Sequence, residues 1–102
     1  MAGEPGELLR AFDSHHRQAL DGMPYMAAFS RDQALLREPL KVYHLPLCLE
    51  LVDAFFREVR KVRDGNPKAF TGRKAPSIPG FVSAIPSLLR DYDFDHKPGG
   101  ES

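Results

Sequence analysis

The chain holds one cysteine, no net charge and no apolar run near membrane-spanning length. A lone cysteine excludes an intramolecular disulfide framework and any zinc site built on cysteines alone. Fourteen Lys and Arg residues balance fourteen Asp and Glu, so no global field recruits nucleic acid or an anionic membrane. Balanced charge also gives little colloidal repulsion, which suits a subunit that spends its life bound to something else. A bilayer span needs about 20 consecutive apolar residues, and none occurs here. The opening Met1-Ala2-Gly3-Glu4-Pro5 is acidic and small where a secretory signal is basic and then apolar. The expectation is a soluble, cytoplasmic chain with no membrane role. Internal repeats and low-complexity tracts are missing as well.

What is present is a helical pattern. At 102 residues and 42% hydrophobic content, the chain can build one modest core but not two. Cys48, Leu51, Val52, Phe55, Phe56, Val59 and Val62 recur at helical spacing between Pro46 and Gly65, with Glu50, Asp53, Arg57, Glu58, Arg60 and Lys61 mainly opposite. Asp64-Gly65-Asn66-Pro67 closes that helix. An earlier piece runs from about Pro5 to Leu20 on a stripe of Leu8, Leu9, Phe12, His16, Ala19 and Leu20, and Asp21-Gly22 stops it. A second piece opens near Met23-Pro24, where proline suits a first helical turn, and must end before Pro39. Ser30 with Gln33 reads as a capping box that could divide it. Residues 39–45 read as an extended linker or a single turn, because Pro46 biases Leu45 away from helical dihedrals. Asn66 to Gly80 reads as a Pro/Gly-rich loop. Phe81, Ile85, Leu88, Leu89 and Tyr92 form a last apolar face, broken or kinked at Pro86. The prediction is an all-α, loop-rich bundle of about four helices over residues 1–92, followed by a frayed polar tail over 93–102.

Chemistry-bearing constellations are sparse. Arg57, Arg60, Lys61, Arg63, Lys68, Arg73 and Lys74 cluster against only Glu58 and Asp64. Such a cluster can meet phosphates or an acidic protein surface, although a helix C-terminus gathers cations for its own dipole. Asp91-Tyr92-Asp93-Phe94-Asp95 alternates like the start of a calcium loop, but His96 stands where the turn needs glycine and Glu101 arrives one residue early. The run reads instead as an acidic-aromatic element that docks on a partner or back onto this domain. His16, His44 and Cys48 are weak candidates for a metal or haem site, because further ligands would have to come from folding. Cys48 also lies on the apolar stripe, a poor setting for a nucleophile. No phosphate-cradling glycine loop and no serine-nucleophile spacing occurs, so neither catalysis nor a cofactor is expected.

Apolar residues exceed what short helices bury. Met23, Tyr25, Met26 and Phe29 crowd one segment, and Tyr43 and Leu47 follow in another. Such surplus marks a partner or homodimer surface. The leading expectation is therefore a small accessory or regulatory protein that works through protein–protein binding. The alternatives are a nucleic-acid-associated protein using residues 57–74 and a metal- or haem-binding helical domain.

Overall fold

The computed structural model describes residues 3–25, 29–66, 76–92 and 94, and these form three helices with no strand among them. Helix α1 spans Gly3–Ala19, α2 spans Phe29–Gly65 and α3 spans Ile78–Asp91. The prediction of an all-helical chain is met in class, with three helices where four are expected. Residues 67–75, the centre of the expected loop, and the tail from residue 93, Phe94 apart, lie outside the described residues.

Helix α1 buries the stripe its spacing indicates: Leu8, Leu9, Phe12, His16, Ala19 and, just past its end, Leu20. It stops where Asp21 and Gly22 adopt positive φ, at 59° and 88°. The Gly22 N–H then reaches back to the Arg17 carbonyl at 2.6 Å, the long wrap of a Schellman-type end. Arg63 of α2 ties the same corner by donating to the Asp21 carboxylate and the Ala19 carbonyl.

Helix α2 departs from expectation. It runs on through Pro39, whose ring takes away the N–H that would bond Leu35. Burial decides the outcome, because Leu36, Pro39 and Leu40 all face the core. Regular geometry fails only at His44, with φ 64° and ψ 164°. Pro46 lies two residues beyond that break. Its missing N–H therefore falls among the first donors of a new helical arm, which have no intrahelical acceptor in any case. A straight helix of 37 residues would span about 55 Å, and the longest extent of the molecule is 39 Å. The break thus folds α2 into two arms. Along the second arm Cys48, Leu51, Val52, Phe56 and Val59 are buried as the periodicity indicates, while Val62 is 48% exposed.

Helix α3 begins at Ile78, so residues 78–80 are helical and not loop. Ser77 caps it by accepting from the Gly80 N–H at 3.2 Å, and Pro79 sits in the first turn where its lack of a donor costs nothing. The helix continues through Pro86, which is exposed. At the end of α3, Tyr92 donates its hydroxyl to Glu58, and Phe94 packs beside it with ring centroids 6.2 Å apart. Of the two dockings foreseen for this aromatic pair, the structure has the one back onto the domain.

The core centres on Phe12. Its ring lies 4.9 Å from Tyr25 and from Phe56, and 6.0 Å from Phe55 and from Phe81. One buried ring from α1 therefore touches both other helices and the segment that joins α1 to α2. No described helix is long and apolar enough to cross a membrane.

Candidate partner-binding groove

The segment after α1 is held by side chains that give its backbone groups partners. His16 Nδ1 donates to the Met23 carbonyl at 2.7 Å. Asp13 Oδ1 accepts from the Tyr25 N–H at 2.8 Å, while Asp13 Oδ2 accepts from Arg17 Nε at 2.9 Å. Burial alone would raise the Asp13 carboxyl, but these donors outweigh it and hold the group below its ordinary range. The Tyr25 hydroxyl donates to Asp32 Oδ2 at 2.9 Å and accepts from the Ile78 N–H at 3.1 Å. Burial pushes the Tyr25 phenol up, and the Asp32 charge acts in the same direction. Asp32 is fully buried and also receives Arg31. A single tyrosine thus fastens the first turns of α2 and α3, while its own backbone is fastened to α1.

Beside this junction lies a groove of about 340 Å³, open along one side, between α1 and the opening of α2. It is lined by Gly6, Leu9, Arg10, Asp13 and Arg17 of α1, by Tyr25 of the following segment and by Gln33 of α2. Gly6 leaves room where a side chain would stand: an added Cβ would meet only Arg10 Nη1, at 3.8 Å. A second depression of about 360 Å³ is bounded by Leu49, Asp53 and Arg57 on α2 and by Tyr92 and Phe94. A third, of about 310 Å³, lies among Ala19, Arg60, Arg63 and Asp64.

The residues expected to bind a partner by apolar contact differ in exposure where they are described. Met23 is 54% exposed, Tyr25 and Tyr43 are half-buried, and Leu47 is buried in the core. Met26 lies outside the described residues, and of Phe29 only its place at the start of α2 is described. Burial of Leu47 follows from the break at His44, which sets the facing of the second arm independently of the first. Val42, at 56% exposure, stands alone on the outer side of the first arm.

Of the basic cluster, Arg57 pairs with Asp53 at 3.0 Å and Lys61 with Glu58 at 3.2 Å, while Arg63 serves the end of α1. Arg60 is half-buried beside Arg63, and Lys68, Arg73 and Lys74 lie outside the described residues. Much of the described basic charge is thus engaged locally. His16 is buried on α1, His44 is exposed at the break, and Cys48 is fully buried, its thiol pushed up to about 11, chiefly by burial. Among the described residues no three His, Cys, Asp or Glu side chains converge as metal ligands would. His15, which carries no signal in the sequence, stacks on Phe56 with centroids 5.8 Å apart. Burial lowers its imidazole below the ordinary range, despite the nearby Asp53.

No family model, curated protein or solved structure matches this chain. Its candidate site therefore stands on its own geometry. In the sequence Gln33 reads only as the capping-box partner of Ser30, and Arg10 and Asp32 carry no assigned role. Arg10, Asp13 and Arg17 do carry a legible signal, since steps of three and four place them on one helix face. Asp32 carries none, because an acidic residue in a first helical turn ordinarily faces water.

Proposed function

We propose that this chain is a small, non-catalytic accessory or regulatory protein that acts by binding another protein in the cytoplasm. The supporting observation is the groove between α1 and α2, a preformed depression whose lining combines apolar and charged residues. Recognition sites combine apolar area for affinity with a few placed polar groups for orientation. The chemistry-bearing side chains nearby are committed to structure: Asp13, His16, Tyr25 and Asp32 are bonded into the helix junction. Cys48 is buried with a thiol pushed up to about 11, which suits a packing residue better than a nucleophile. The pairing of Arg57 and Lys61 with α2's own carboxylates favours a protein partner over a phosphate backbone.

Affinity purification of the full chain from native cells at two salt concentrations, followed by reconstitution with the purified partner, tests this reading. The expected result is one stoichiometric complex in light scattering, whose affinity changes little with salt. Recovery of nucleic acid, with retention collapsing steeply between low and moderate salt, would replace it with the phosphate-binding alternative. A chain that elutes as its own dimer would make the partner a second copy.

A further inference from the structure

The groove lining carries two arginines and one aspartate. Asp13 is spent, since one carboxylate oxygen accepts from the Tyr25 N–H and the other from Arg17. Arg10 is exposed, lies back over Gly6, and has no carboxylate partner among the described residues. The lining therefore presents one uncompensated positive charge beside the apolar Gly6 and Leu9. Gln33, also in the lining, belongs to the second turn of α2 and adds an amide donor near the positive end of that helix. The complementary ligand bears a carboxylate next to an apolar group. At about 340 Å³ the volume sits at the lower end of ligand sites, suited to a side chain or two. The open side favours groups carried on a larger body that would cover it.

We infer that the α1–α2 groove receives a peptide segment of a partner protein in which a glutamate or aspartate adjoins an apolar residue. Arg10 and Gln33 take the carboxylate, and Leu9 with the edge of Tyr25 takes the apolar side chain. The inference rests on the reading of this chain as a protein-binding module and gives that partner its chemistry. A bond between Arg10 and a carboxylate is charge-assisted and planar, so Arg10 is the anchor and its charge is what discriminates.

The test is a titration of the isotope-labelled full chain by NMR with acetyl-Leu-Glu-amide and, separately, acetyl-Leu-Gln-amide. The acidic dipeptide is expected to give saturable shifts confined to Gly6, Leu9, Arg10, Asp13, Tyr25 and Gln33, with a dissociation constant of the order of 1 mM for so small a probe. The glutamine twin, and the Arg10→Gln variant with the acidic dipeptide, should each bind about tenfold more weakly. Gly6→Leu should abolish binding while the rest of the spectrum stays folded, because Gly6 lines the groove and a Cβ there would meet only the end of Arg10, at 3.8 Å. Arg90→Gln, on the far end of α3, should change nothing. Equal binding of the two dipeptides, shifts elsewhere, or no shifts would overturn the inference. Isocaproate binding as tightly as the dipeptide would overturn the peptide assignment in favour of a free acid, and a dimer dispersed by Arg10→Gln would overturn it in favour of a second copy. A partner complex indifferent to Arg10→Gln would remove the groove while leaving the module reading intact. Dipeptide binding with no protein partner recovered would do the reverse.

Discussion

Tyr25→Phe removes one oxygen atom and leaves the ring that packs edge-on to Phe12 at 4.9 Å. Two bonds go with that oxygen. The first is the donation to Asp32, a fully buried carboxylate, and bonds to charged groups contribute about 1.5–3 kcal/mol each. The second is the acceptance from the Ile78 N–H at the start of α3, a donor with no intrahelical partner, for which about 1 kcal/mol is a typical loss. The variant should therefore be destabilised by about 2–4 kcal/mol, a large share of the 5–15 kcal/mol that holds a domain of this size together. Urea unfolding should show a lower midpoint with an unchanged slope, and Tm should fall by at least about 8 °C. Combining it with Asp32→Asn should give a coupling energy of about 1–2 kcal/mol, since the two side chains share one bond. Alkaline titration adds a second readout. A phenol whose folded pKa is raised contributes stability that is complete below about pH 10 and is lost as pH climbs through the folded value. The gap between the parent chain and Tyr25→Phe should accordingly narrow above pH 10. A destabilisation under about 0.5 kcal/mol, with no coupling to Asp32, would refute the view that this hydroxyl fastens the helices.

Three further expectations follow from the same structure. His44→Gly should raise stability by about 1 kcal/mol, because φ 64° with ψ 164° is a region only glycine occupies without strain; His44→Ala should give no such gain in the same unfolding assay. His15 has a folded pKa below its ordinary value of about 6.5, so its contribution is present above that value and is lost as pH falls through the folded pKa. His15→Phe, which keeps the stack on Phe56, should flatten the acid limb of the stability curve below about pH 6.5, and an unchanged limb would contradict the assignment. Cys48 should react with iodoacetamide far more slowly than a free thiol at neutral pH and reach the free rate only in denaturant; fast native labelling would contradict its burial.

Much of the helical frame is legible in the residues themselves. The stripes of α1 and of the second arm of α2 name the buried side chains almost one for one, because burial on one side imposes a repeat that local sequence must carry. The stop at Asp21-Gly22 is equally readable, since few residues tolerate positive φ. Pro39 and Pro86 mislead for the opposite reason. Proline's penalty is local and visible, whereas the packing of Leu36, Leu40 and Leu88 that outweighs it is tertiary and leaves no mark on neighbouring residues. Leu47 reads as surplus apolar surface only while residues 39–45 are taken as a linker. The break at His44 sets the facing of the second arm and turns Leu47 inward. The groove was hardest to foresee. Its walls come from α1, the following segment and α2, and the tyrosine that shapes it is anchored by a backbone amide at Ile78, far along the chain. Tyr25 looks in sequence like one more apolar contact, and nothing near it shows that its oxygen has two partners waiting.

The position of Phe12 has a consequence for how the chain comes apart. One ring serves as the meeting point of every helix, so no pair of helices retains a complete apolar centre once the third departs. Loss of order should therefore be all-or-none across the described helices, without a surviving subdomain. A fragment ending before Ile78 would lack both Phe81 and the amide that Tyr25 receives, and would be left with a hollow where its centre should be.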